Sequence, residues 1–237
     1  MLNYITIYDN AEVKQSRINE MLRYQHALQN NWSDGIKECF FGCAMQEYKK
    51  TMKKTLEKMQ LPLWLTCLSE NIFKNLDKDV AITFPVELLK SIPSRVSNAD
   101  LESVKHKVAI LRLTTLKGRN EIVELAIDRV IECHKKALDR NPDIDWTAAR
   151  DTAKNVACNA KSAGRWHAGS AAESAVFSAE VQFSDLRTYE SVRCIIKSIK
   201  QAGFAVNFKI PDAWLTEKEN LVNELNELKI YLRHKYY

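Results

Sequence analysis

The chain has 237 residues, 46% of them hydrophobic and 27% charged, with a net charge of +5. That length buries a core without disulfide or metal staples. Six glycines and five prolines exclude a loop-rich or many-stranded fold, and so small an excess of positive charge permits nucleic-acid contact without requiring it.

Residues 2–8, LNYITIY, alternate and are β-branched or aromatic, which predicts a short N-terminal strand or an extended arm. Asp9 and Glu12 fit an N-cap and its N3 acid. The helix they open is expected to run to about Gln29, with NNWSDG (30–35) as a turn. Residues 43–59 carry Ala44, Tyr48, Met52, Leu56 and Met59 at helical spacing. Pro62 opens the next helix, with Trp64, Leu65, Leu68, Ile72 and Leu76 as its apolar face. Pro85 opens a short one, VELLKSI, stopped by Pro93.

Residues 98–116 place Leu101, Val104, Val108, Leu111 and Thr115 on one face, and residues 120–138 place Ile122, Ala126, Val130, Cys133 and Ala137 on another. Asp145 is the expected N-cap of the segment that follows. From 147 to 182 alanine, serine and glycine stand where most helices have leucine. Small residues recur at 149, 153, 157, 160, 164, 168, 171, 175 and 179, in steps of 4-4-3. An eleven-residue repeat keeps one face of a nearly straight helix small throughout its length. The segment therefore reads as a packing spine, either one long helix or a pair broken near Gly164. Its small face admits close neighbours, or a second copy of the chain in a homodimer. GFAVNFKIPDAW (203–214) has strand or loop character, Thr216 and Glu219 fit a capping box, and Leu221, Leu225, Leu228 and Leu232 line the last helix. The expected fold is all-α: a compact multi-helix array around a long alanine-rich central helix. It forms one domain over 1–237, or subdivides near 140–145 into a helical array and a spine with the C-terminal helix.

Several phrases stand in a telling order: DG at 34–35, FGCAM at 41–45, LPLWLTCLSENIFKNL at 61–76, FPVELLKSIP at 84–93, NADLESV at 98–104, and the alanine-rich run opening near Trp146. Over residues 34–180 the chain resembles a family of helical proteins of unknown function found in bacteria, phages and prophages. It departs from that pattern in lacking a second cysteine soon after Gly-Cys-Ala and in diluting the alanine run with Lys, Asn and Glu. The resemblance implies a mobile-element setting, where small non-enzymatic inhibitors of host machinery are common. It carries no catalytic residues.

The strongest charge feature is YKKTMKKTLEK (48–58). Lys49 and Lys53 share one helix face and Lys50, Lys54 and Lys58 an adjoining one, opposite Tyr48, Met52 and Leu56. Such a basic helix suits an acidic protein surface or a phosphate backbone. Arg187, Arg193, Lys197 and Lys200 make a second basic face. Cys39, Cys43 and His134 are weak metal candidates, since Cys-x-x-x-Cys is a poor zinc spacing with no matching second pair. His106 and His134, each beside lysines, read as surface or boundary side chains, with no Asp, Ser or Cys at a telling distance. No nucleophile elbow, HExxH or phosphate loop is present.

The reading is thus a non-enzymatic protein-binding protein of a mobile element or phage, an inhibitor of a host defence complex. The alternative is nucleic-acid binding through 48–58. Six cysteines read as reduced thiols, and MLNYITIYDN lacks a basic start and a long apolar run. A cytoplasmic protein without cofactor or membrane contact is expected.

Overall fold

The computed structural model describes residues 4–5, 11–33, 50, 54, 61–118, 121–183, 189–206 and 210–236. Among them the fold is all-α, with nine helices and one minimal strand pair: β1 (Tyr4–Ile5) runs antiparallel to β2 (Val96–Ser97), Tyr4 opposite Ser97. The helices are α1 (Ala11–Ser33), α2 (Leu63–Asn75), α3 (Lys78–Ser91), α4 (Asn98–Thr114), α5 (Glu121–Leu138), α6 (Trp146–Ser162), α7 (Trp166–Glu180), α8 (Tyr189–Ala205) and α9 (Ile210–Tyr236). No helix among the described residues is long and apolar enough to cross a membrane.

Two apolar clusters build the interior. The first gathers α1, α2, α3, the N-terminal half of α4, α8 and α9 around Met21, Trp64, Phe84 and Trp214. The second joins the end of α4 to α5, α6, α7 and the end of α8, and is mostly alanine and valine. Packing crosses residues 140–145 from both sides, α5 against α6 and α7, and α4 against α9.

The alanine-rich segment is a helical hairpin and not one long helix. Gly164 takes φ +73°, a left-handed conformation that ends a helix, and α7 starts at Trp166 and folds back along α6. Ala149, Ala153 and Ala157 of α6 and Ala171, Ala175 and Ala179 of α7 are buried. At these six positions the small face is covered from within the molecule, while Ala160 and Ala168 are partly buried and Gly164 is exposed. Gly169 marks the tightest approach: a Cβ at that position would stand 2.5 Å from Lys161 Cγ and 3.2 Å from the Ala157 carbonyl oxygen. On the other side of α7, Ser174 and Ser198 of α8 each donate to the other's backbone carbonyl, at 2.9 and 2.8 Å. Only small residues let two helices come that close.

Other boundaries moved for local reasons. Helix α3 begins at Lys78, seven residues before the expected start at Pro85, which lies buried inside it. Burial of Ile82, Phe84, Val86, Leu88 and Leu89 outweighs the roughly 3 kcal/mol an interior proline costs. Residues 203–205 and 210–214 are helical. Pro211 sits in the first turn of α9, where its missing N–H is harmless, and Trp214 is buried. Thr216 is not a cap but an interior residue, its hydroxyl donating to the Asp212 carbonyl. Helix α1 continues through Ser33, past the expected turn at 30. The predicted N-cap of α6 is present, Asp145 accepting from the Ala148 N–H at 2.8 Å. Ser97 and Asp100 form a capping box on α4.

Candidate functional site

Where α4, α5, α6 and α7 meet, the interior turns polar. His106 of α4 and His134 of α5 face each other with Nδ1 atoms 2.9 Å apart. The other nitrogen of His134, Nε2, lies 2.9 Å from the Ser178 hydroxyl of α7. Trp146, the first residue of α6, stacks on His106 and meets His134 edge-on, with centroids 6.3 and 4.9 Å away. His134 is 1% exposed and Ser178 2%. Burial pushes His106 down to about 4, helped by Lys105. It pushes His134 well below the usual imidazole range, with His106, Arg112 and Lys105 adding to the effect.

These histidines were expected at the surface, and the structure corrects that. The signal was present in the spacing. Ile127, Val130, Ile131 and His134 recur at 3-4 intervals on the buried face of α5, and His106, Ala109 and Leu113 do so on α4. The apolar face of α4 is rotated relative to expectation, with Arg112 and Leu113 inward and Leu111 partly outward. On α5 Val123 and Ile127 take the inward places and Ile122 is exposed.

Beside the cluster, Arg112 Nη1 donates to Glu217 Oε1 of α9 at 2.6 Å, and both side chains are buried. Burial raises the Glu217 carboxyl above its ordinary range, although Arg112 pulls it back. A small cavity lies between, lined among others by Trp64, Lys105, Arg112, Ser178 and Glu217.

A serine hydroxyl on an imidazole that is oriented by a third group has the geometry of a nucleophile and its base. Here it is closed to substrate. The same contacts satisfy three buried polar side chains, and they tie α4, α5 and α7 at one point.

Of the basic residues singled out in the sequence, Lys50 and Lys54 are helical and exposed, while Lys49, Lys53, Lys58 and Arg187 lie outside the described residues. Arg193 is exposed, 3.8 Å from Glu190. Lys197 reaches over the Phe177 ring at 4.9 Å, and Lys200 is exposed. A different basic meeting was not anticipated. Lys14 of α1 donates to the Ile92 carbonyl just past the end of α3, and Lys229 of α9 donates to that of Lys90 at 2.7 Å. Helix C-termini attract cations in this way. Burial, then Lys229 and Arg233, lowers Lys14 to about 8. Cys39 and Cys43 also lie outside the described residues, and the partners of His134 are His106 and Ser178. Among the described residues no group of three or more His, Cys, Asp or Glu side chains is placed to hold a metal ion.

The outer surface carries a second feature. Trp166 and Phe204 are 59% and 55% exposed. His167 Nδ1 lies 3.0 Å from the Phe204 carbonyl oxygen, and its ring stacks on that of Phe204 at 5.4 Å. The start of α7 and the end of α8 are thus joined by the His167–Phe204 contact, with Trp166 exposed next to it in the chain. Comparison with protein-family models, with curated proteins and with solved structures finds no match to this chain.

Proposed function

We propose that the chain is a non-enzymatic protein-binding protein that works through its surface. The observation that carries this reading is the Trp166–His167–Phe204 patch. Large aromatic side chains standing in solvent on helix ends are the usual anchors of protein interfaces, and stacking on His167 holds Phe204 in place before any partner arrives. Ile122 and Leu125, neighbours on one face of α5 and 62% and 69% exposed, extend the apolar surface available elsewhere. The sealed state of the Ser178–His134 pair favours binding over catalysis. The partner we infer is a host protein complex, in the mobile-element setting that the resemblance over 34–180 implies, with defence inhibition as the outcome.

The test is affinity capture from bacterial lysate, with and without nuclease, comparing the native chain with the Trp166→Ala/Phe204→Ala double variant. A discrete protein that survives nuclease and is lost with the double variant supports the reading. Capture that disappears with nuclease and persists in the double variant makes nucleic acid the ligand, with Lys50 and Lys54 as the side chains to reverse.

A further inference from the structure

Helix α8 turns Val192, Ile195, Ile199 and Ala202 inward, all buried. That register leaves Arg193, Lys197, Lys200 and Phe204 in a line on its outer face, at 4-3-4 spacing. The line is about 16 Å long at the helical rise per residue. Its three cations lead into the aromatic end that Phe204 shares with His167. Two of its members are held in place. Lys197 lies over the Phe177 ring of α7 at 4.9 Å, and Phe204 stacks on His167 at 5.4 Å. Arg193 and Lys200 stand in solvent.

Neighbouring acids do not balance this charge. Glu190 is 3.8 Å from Arg193 with both side chains mostly in water, a contact that contributes little. Glu173 of α7 is taken by Lys161 at 2.6 Å. Among the described residues Lys197 and Lys200 form no ion pair. An acidic surface supplies what is missing, and a phosphate chain fits less well. Single-stranded nucleic acid needs a run of open ring faces for its bases. Here Lys197 covers one face of Phe177 and His167 one face of Phe204. Glu180 and Glu190, both beside Cys194, also put two carboxylates at the start of the line. They repel a backbone that is charged at every residue. A protein can set carboxylates opposite the cations and neutral side chains opposite the glutamates. A second helix laid alongside matches a straight line at 4-3-4 spacing.

We propose that the outer face of α8 docks an acidic helix of a protein partner, with carboxylates against Arg193, Lys197 and Lys200 and an apolar side chain against Phe204. This rests on the protein-binding reading above and names the chemistry of that partner.

The test starts from the protein captured by the native chain, identified, purified and titrated onto the full chain by calorimetry at rising sodium chloride. Affinity should fall as salt rises. Arg193→Glu/Lys197→Glu/Lys200→Glu should weaken it by about tenfold or more at physiological salt and remove the salt dependence. Phe204→Ala should weaken binding but keep the salt slope. If the triple variant fails to fold by circular dichroism, Lys200→Glu gives the comparison, with a loss of about threefold. Equal affinity and salt slope in the native and charge-reversed chains would overturn the inference. If the Trp166→Ala/Phe204→Ala variant still loses the partner, the protein-binding reading stands without it. Capture that vanishes with nuclease, or capture of no discrete protein, overturns both. A homodimer that the triple variant dissolves would make a second copy the occupant of this face, and the inference falls in that case too.

Discussion

A neutral imidazole has one N–H, so two Nδ1 atoms 2.9 Å apart require one ring to donate and the other to accept. Ser178 completes the chain from the far side of His134. It donates its hydroxyl if His134 gives its Nδ1 proton to His106, and accepts if the proton runs the other way. A second proton on either ring places a positive charge in this buried interior, close to Lys105. The folded state therefore resists protonation, which is why burial holds His106 near 4, while an unfolded histidine titrates near 6.5. Between those values the unfolded chain binds protons that the folded chain does not. Stability is fully present above about pH 6.5 and falls as pH drops, by about 1.4 kcal/mol per pH unit for each such histidine. Urea unfolding at pH 7 and pH 5 should show this slope, and the His106→Gln/His134→Gln variant should flatten it. An equal slope in that variant would place the acid sensitivity elsewhere. Ser178→Ala isolates the third member. It leaves His134 Nε2 buried without a partner and should cost roughly 1–3 kcal/mol at pH 7, measured by the same unfolding. A cost near zero would mean that the hydroxyl bond contributes nothing.

At the scale of elements the decisive feature is the hairpin of α6 and α7, where two glycines do different work. Gly164 needs its left-handed backbone, but nothing lies within 4 Å of where its Cβ would be. Gly164→Ala therefore costs only the conformational penalty, about 1 kcal/mol. Gly169 has ordinary backbone angles, yet its Cβ would overlap Lys161. Gly169→Val must push α6 and α7 apart along their whole contact and should cost more, roughly 1–3 kcal/mol or above. Chemical unfolding of the two variants ranks them, and the reverse order would deny that close approach holds the hairpin. The small-residue period of this segment was legible in the sequence, as was a break near Gly164. Which partner covered the small face was not, because α6 and α7 satisfy one another with the pattern that would serve a dimer. The all-α class and the leucines of α9 were legible for the same reason: their periodicity alone decides burial. Proline misled at Pro85, where apolar neighbours on both sides keep the helix going. The buried site was hidden because histidine, lysine and arginine at inward positions look like surface until their partners are known. His106, His134 and Ser178 lie far apart in the chain, and only the packing of α4, α5 and α7 brings them together.

In the whole molecule, the two apolar clusters meet where α4 passes from one into the other, and the Arg112–Glu217 pair stands at that crossing. Helix α4 contributes Leu101, Val104 and Val108 to the first cluster and Leu113 to the second, with Arg112 between them reaching α9. Taking two charges out of water is expensive, and their attraction at 2.6 Å does little more than offset that cost. The pair therefore adds little net stability of its own, and the two single losses are not equivalent to the double one. Arg112→Met leaves the Glu217 carboxylate buried and uncompensated. At neutral pH it should cost about 3–5 kcal/mol. Because that carboxyl then folds best protonated, the variant's deficit relative to the native chain should shrink as the pH is lowered, although both proteins lose the contribution of the histidine pair below about pH 6.5. The Arg112→Met/Glu217→Leu variant replaces both ions by apolar groups and should unfold within about 1 kcal/mol of the native chain, or above it. Hydrogen exchange on these proteins separates the scales. If the pair sets how the clusters are joined, the double variant keeps its midpoint but exchanges the amides around Arg112 and Glu217 faster than the native chain. If exchange there is unchanged, ordinary packing holds the clusters together and the ions are passengers within it.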